Sequence, residues 1–421
     1  MNPTNPLPAL ACLFAAIATA FLLMRRFGAP PTNDRFAPID GLRGYLAFFV
    51  FLHHSCIWYF FLHTGKWVVP PSALYTHFGQ SSVALFFMIT GFLFFSKLIA
   101  GRTRKIDWLH LYVSRLLRLV PLYLFTMLLL FVVVAVISHG ALVDSPAALI
   151  KSAAKWIAFT IPGETDLNGV ANTSRIVAGV TWSLPYEWYF YFSLPLLALL
   201  VGVPSPIAAI GVCIVGAVAL KMWPINVSLF EPFLGGILAA FAVRFEAIRT
   251  FARKPVASVL VVACVAATVF GLETAYSVKA LVLLSIAFAL IASGASLFGA
   301  LTWSVSRFLG EQAYSLYLLH GIVLFTAFKF VAGLEPARAY SPFVYWSIIA
   351  GLTPILITFS CLTFRFIERP CMNQSKPVSK WLRNLCVRQI NPLIEPGGTK
   401  MAANTTLSVL ADSAAQTKGA K

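Results

Sequence analysis

Arg43 and His54 lie eleven residues apart in PIDGLRGYLAFFVFLHHS, residues 38–55. On a helix rising 1.5 Å per residue they stand about 16 Å apart. With Arg43 near one membrane surface, His54 is expected about halfway across. A charge at that depth costs about 2.5–3.5 kcal/mol on insertion scales, so ionisable groups in lipid face a protein interior or a water-filled cavity. Histidine is the natural general base near neutral pH. His53 points about 100° away from His54 on a helix, so the two do not share one role. Asp40, three residues before Arg43, is expected to cap this helix.

Three further clusters share this character. In TWSLPYEWYFYF, residues 181–192, Ser183, Glu187 and Tyr191 recur every four residues and form one polar stripe beside Trp182. Pro185 suits the first turn of a helix, and Glu187 is expected in the outer half of its span. In EQAYSLYLLHG, residues 311–321, Tyr314, Tyr317 and His320 fall at three-residue steps, with His320 again near mid-span. Arg115 and Arg118 lie one turn apart and suit a polyphosphate; anchoring to lipid headgroups is the alternative. No Walker, Rossmann, zinc or GxSxG motif is present, and no metal site is expected.

The elements that hold these residues are helices in a bilayer. Of 421 residues, 59% are hydrophobic and 11% charged, against about 25% charged in soluble domains. Eleven apolar runs approach the roughly 20 residues a span needs: 7–24, 44–62, 79–100, 119–138, 180–201, 204–222, 230–247, 255–271, 278–299, 310–333 and 343–367. The run at 150–161 reads as an interfacial helix. The loop from 139 to 179, with PGETDLNG at its centre, is long enough to order over a substrate. In GRTRKIDWLHLYVSRLLRLVP, Trp108, Leu111, Tyr112, Leu116 and Leu119 recur at helical spacing and feed the next span at Pro121.

The net charge of +17 does not point to nucleic acid, because the basic residues cluster between the apolar runs. Alternating the runs from Arg25 and Arg26 places only Lys66, Lys151, Lys155, Arg175, Lys221, Lys279, Lys329 and Arg338 on the far side, and the other 24 of 32 on the near side. The positive-inside rule makes the near side cytoplasmic. The amino terminus is then outside and the carboxyl terminus inside. The first run has no basic segment before it, so it reads as a retained helix rather than a signal peptide. The seven cysteines form no CxxC pair and no disulfide framework. SKPVSKWLRNLCVRQI, residues 375–390, suits the inner leaflet, and the polar tail from about 391 reads as disordered.

Taken in order, these stretches resemble acyltransferase family 3, the integral-membrane O-acyltransferases that modify glycans, lipids and small molecules. PIDGLRGYLAFFVFLHHS is similar to its opening motif, with His54 rather than His53 as the matching histidine. VALFFMITGFLF (83–94) resembles the second helix, with Ala84 where an acidic residue is common and Thr90 where serine is common. SRLLRLVPLY (114–123), WSLPYEWYFYF (182–192), AYSLYLLH (313–320) and FRFIERP (364–370) resemble the remaining signatures. The resemblance covers about residues 35–370.

It implies an all-α polytopic membrane protein: a ten-helix core over 35–372, an extra transmembrane helix over 1–30, and a cytoplasmic basic tail over 373–421. It implies transfer of an acyl group, often acetyl, from acyl-CoA as co-substrate, with no permanently bound cofactor. The acceptor is a hydroxyl on a cell-surface or exported glycan or lipid-linked sugar, and a bacterial inner membrane is the expected location. Arg43, His54 and Glu187 are the expected catalytic residues. Arg115 and Arg118, with Arg43, are expected to bind the CoA phosphates, and Trp182, Ser183, Tyr317 and His320 to line the substrate site. A proton-coupled carrier of a small polar solute is the alternative reading. Against it, the sequence has no inverted repeat and no matching pair of broken helices.

Overall fold

A computed structural model describes residues 2–31, 36–222 and 226–390. The polar tail from 391 lies outside the described residues. Helices follow one another from α1 (Pro6–Phe27), α2 (Ala37–Thr64), α3 (Ala73–Ala100), α4 (Trp108–Ile137) and α5 (Pro146–Ile157) to α6 (Leu184–Leu200), α7 (Ile207–Met222), α8 (Glu231–Ala242) and α9 (Glu246–Ala252). Then come α10 (Pro255–Gly271), α11 (Val278–Ser293), α12 (Ser304–Glu311), α13 (Ala313–Thr326), α14 (Leu334–Arg338), α15 (Pro342–Thr363), α16 (Arg369–Asn373) and α17 (Ser375–Ile390). No strand occurs among the described residues. The protein is an all-α polytopic membrane protein.

The eleven apolar runs do not become eleven long helices. Among the described residues six helices are long and apolar enough to cross a membrane, or seven if the pair bent by 104° between α8 and α9 is counted as one span. The runs at 204–222, 255–271 and 278–299 form shorter apolar helices. Hydropathy reports how much apolar sequence there is; glycines, prolines and tertiary packing set where a helix stops.

Helix α2 is the most enclosed of the six: 72% of its apolar window is buried within the protein, against 28% for α1 and 33% for α4. That explains why α2 carries little one-sided pattern: it is apolar all round because protein surrounds it. Its start is set by Pro38 in the first turn. Asp40 is therefore inside the helix and not its cap. Its carboxylate lies 3.8 Å from the Arg43 guanidinium, in the first turn, where a negative charge favours the helix dipole.

Gly41 and Gly44, which flank Arg43 in GLRG, lie directly on the backbone around Leu301 and Leu309. Any side chain there meets main chain, so α12 and its approach can close on that face only because both positions are glycine. Arg43, between them in sequence, is turned to another face. The end of the bundle that holds Arg25, Arg26, Arg102, Arg104 and Lys105 is called the basic end below.

The long segment between α4 and α6 is not a surface connector. Tyr123, midway along α4, donates its hydroxyl to the Trp156 carbonyl at 2.6 Å and stacks on Phe159 at 4.0 Å between centroids. Two 3-10 turns, Thr173–Val177 and Val180–Ser183, bury Ile176, Val177 and Val180. Gly321 of α13 lies against the Val177 carbonyl and the Ala178 nitrogen. A β-carbon has no room there. Gly321→Ala is expected to push the two elements apart and lower stability by about 1–3 kcal/mol, the usual cost of overpacking. A detergent melting curve checks this, and an unchanged midpoint would contradict the close approach.

Candidate functional site

The signature residues converge on one cavity at the basic end. Its volume is about 170 Å³, and its wall carries Arg43, Arg115, Arg118, Glu187, Tyr191 and Tyr317, among others. Five helices supply the wall: α2, α3, α4, α6 and α13. Apolar rings from α3, Phe86, Phe87 and Phe94, cover one side.

Charge inside this cavity is unbalanced. Three guanidinium groups meet one carboxylate, Glu187. Glu187 Oε2 accepts from the Tyr191 hydroxyl at 2.9 Å. The Arg115 guanidinium lies over the Phe94 ring at 5.1 Å, and its Nε is buried without a partner. Neither Arg115 nor Arg118 has a carboxylate within ion-pair distance among the described residues. Desolvated positive charge without a counter-charge is costly. An anionic ligand in the cavity removes that cost.

The depth of Glu187 departs from the sequence expectation. It was expected in the outer half of a span starting near residue 180, but it shares a cavity with the arginines. The reason is the re-entrant segment before it. The 3-10 turns descend into the bundle before α6 begins, so α6 starts inside the protein, with Pro185 and Glu187 in its first turn. Ser183 ends the last turn. Its hydroxyl is 2.8 Å from the Tyr317 hydroxyl, which also donates to the Val180 carbonyl at 3.2 Å.

Beyond Tyr317 lie the two histidines. His54 Nδ1 is 3.1 Å from His320 Nε2 and 3.0 Å from the Val50 carbonyl. His320 Nδ1 is 3.2 Å from the Leu316 carbonyl. A carbonyl only accepts, so both Nδ1 atoms carry protons. His320 Nε2 is then an acceptor facing His54 Nδ1–H. One tautomer of each ring fits the whole set, with the single His54 Nδ1–H shared between the Val50 carbonyl and His320 Nε2, and it leaves His54 Nε2 as an unprotonated nitrogen with no protein partner among the described residues. His320 is fully buried and His54 only partly. His53 is held elsewhere, its Nδ1 2.7 Å from the Tyr75 carbonyl.

Both histidine helices repeat one order along the chain. On α2 it is Arg43, His54, Trp58; on α13 it is Tyr317, His320, Phe325. The first of each line the basic-end cavity and the last line a second cavity beyond. The histidine pair therefore stands between two cavities and lines neither. Trp182 also stands apart: it is 37% exposed and meets Phe87 and Tyr186 edge-on.

One carboxylate went unassigned in the sequence. Glu368, in FRFIERP, is fully buried, accepts from the Ser315 hydroxyl, and leaves Oε2 without a partner. Thr363 donates to Ser315 at 3.0 Å. An acidic residue ending an apolar run was the available signal. The π-turn over Phe364–Glu368 that turns it inward has no sequence signature. Tyr314, whose hydroxyl donates to the Leu119 carbonyl at 3.1 Å, also lines the cavity.

The re-entrant segment carries a pH signature of its own. Burial raises the Glu164 carboxyl above its ordinary value, against opposing hydrogen bonds from Thr181 and Ser174. A raised folded-state value means its contribution is present at low pH and lost as pH rises through that value. Glu164→Gln is expected to flatten this part of the stability–pH curve; an unchanged curve would contradict the assignment.

The helical membrane fold, the arginine-lined cavity and the histidine pair fit an integral-membrane transferase. The match is specific: residues 36–365 fit the family described as an acyltransferase domain, acyltransferase family 3, and the chain belongs to it. No curated protein and no solved structure matches the chain.

Proposed function

We propose that the protein moves an acyl group, acetyl in the simplest case, from acyl-CoA to a hydroxyl of a cell-surface or exported glycan. The observation that carries this reading is the cavity joining Arg43, Arg115 and Arg118 in front of the histidine pair. The basic end faces the cytoplasm of a bacterial inner membrane, the amino terminus outside and the carboxyl terminus inside, by the distribution of Lys and Arg.

In this mechanism the CoA phosphates dock on Arg115 and Arg118, with Arg43 assisting. Bidentate guanidinium contacts suit phosphate better than a point charge does. Glu187 and Tyr191 hold the cluster in place. The thioester reaches past Ser183 and Tyr317, whose hydroxyls turn from each other and from the Val180 carbonyl to the thioester oxygen as it gains charge. His54 Nε2 removes the proton of the acceptor hydroxyl as oxygen attacks the thioester carbon. The new C–O bond forms, the C–S bond breaks, and the proton passes to the departing thiolate. His320 fixes the His54 tautomer. Trp182 contributes to acceptor binding at the rim.

Each hydroxyl in the Ser183–Tyr317 pair is worth one hydrogen bond, about 0.5–1.5 kcal/mol. Ser183→Ala and Tyr317→Phe are each expected to lower kcat by roughly 3- to 10-fold, with KM for acyl-CoA unchanged. A KM effect alone would move the pair from the reacting carbonyl to donor binding.

The test is base-labile ester on surface glycans in cells carrying the protein or an empty vector. Ester only with the protein supports the reading. Uptake of an unmodified solute with no ester would replace it with the carrier.

A further inference from the structure

The second cavity, at the end opposite the arginine cluster, has a volume of about 390 Å³, at the lower end of the roughly 300–1,000 Å³ of small-molecule sites. Its wall holds two cations, Arg175 and Lys329, and no carboxylate. Asp144, next to Val143 of the wall, forms no ion pair with either cation, and three other carboxylates of the neighbouring loops are engaged elsewhere. Glu335 pairs with Arg338, Asp166 accepts from the Thr173 nitrogen, and Glu164 accepts from Thr181. None of the ion pairs of the described residues uses Arg175 or Lys329.

Arg175 is held firmly without being neutralised. Its guanidinium lies 4.2 Å over the Phe61 ring and 5.7 Å from the Trp67 ring. Its Nε is buried with no partner, and so is the indole N–H of Trp58, which is 1% exposed on the same wall. Two cations on one wall without an anion call for a negatively charged ligand. Phe61, partly exposed on the same wall, adds aromatic surface of the kind that packs on the C–H faces of a sugar ring. Trp58 is also one turn beyond His54 on α2, so this cavity opens on the acceptor side of the histidine pair.

We infer that this cavity binds an anionic saccharide, its negative group held by Arg175 and Lys329. Its role as acyl acceptor rests on the proposed function; the binding itself does not. The negative group is a carboxylate, as in a uronic acid, or a phosphate, as in a sugar phosphate, and the two separate by experiment.

The experiment measures binding of glucuronate, glucose 1-phosphate and glucose to the purified full chain in detergent by calorimetry. Wild type is expected to bind at least one anionic sugar 10-fold or more tighter than glucose; which one identifies the anion. Arg175→Gln and Lys329→Gln are expected to lose that preference, Arg175→Lys to retain part of it, and Arg118→Gln, in the other cavity, to keep it. Should Arg175→Gln melt early without ligand, Lys329→Gln carries the test, because Lys329 is exposed. No preference in wild type overturns the inference. So does a preference that survives Arg175→Gln and Lys329→Gln but is lost in Arg118→Gln, since the anion then sits among the arginines. Thioester consumption is read separately. Selective binding without it would sink the transferase reading and leave this site standing.

Discussion

His54→Ala is expected to lower kcat/KM for acyl transfer by about 10²–10⁴-fold, the usual contribution of a positioned general base. The protein should still reach the membrane and bind acyl-CoA, because His54 lines neither cavity. His54→Asn is expected to do no better: its amide near the position of Nδ1 restores the hydrogen bonds to Val50 and His320 but supplies no basic nitrogen. His320→Ala should cost less, because it removes the acceptor that fixes the tautomer and leaves Nε2 in place. Its acid limb in the pH–rate profile should move. Should His320→Ala abolish activity while His54→Ala keeps it, the roles of the two rings are reversed. Initial rates in membranes, normalised to protein level, decide between these outcomes.

The second large effect concerns the arginines. Arg115→Gln and Arg118→Gln are each expected to raise KM for acyl-CoA about 10- to 100-fold, since a hydrogen bond to a charged group contributes roughly 1.5–3 kcal/mol. The double variant should fall short of the product of the two, because the side chains share one ligand. Lysine at either position should recover only part, lacking the planar fork. Discrimination is the sharper readout. If the arginines hold phosphates, a truncated thioester such as acetyl-pantetheine, without the nucleotide and its phosphates, should react equally slowly with wild type and variants. A variant that slowed both donors alike would make the arginines structural. Headgroup anchoring predicts that outcome.

The residues that carry these effects were legible to different degrees. Arg43 and His54 sit on one continuous helix, so eleven residues convert directly into depth. Arg115 and Arg118 belong to α4, which runs unbroken through Pro121, and their spacing survives intact. A span start near 180 puts Glu187 too far out, because the chain before it descends through turns. Phe159, Thr160, Asn172 and Ala178 there take left-handed backbone conformations that no apolar period announces. The His54–His320 contact joins residues 266 apart, and nothing local reports it. The course of each span is likewise not legible, since an apolar run has the same composition whether it crosses straight, bends by 104° or stops short. What the sequence carried was residue type and order; the packing of α13 on α2 and of the re-entrant turns on α13 turned that order into a site.

In the proposed reaction an acyl group passes from a cytoplasmic thioester to the acceptor at the His54 site. The most direct test of this transfer supplies acetyl-CoA labelled in the acetyl group, which does not cross membranes, to inverted and right-side-out vesicles. The account predicts base-labile label in glycan only from inverted vesicles, and none with His54→Ala. Label from right-side-out vesicles alone, or equal label with His54→Ala, would contradict it.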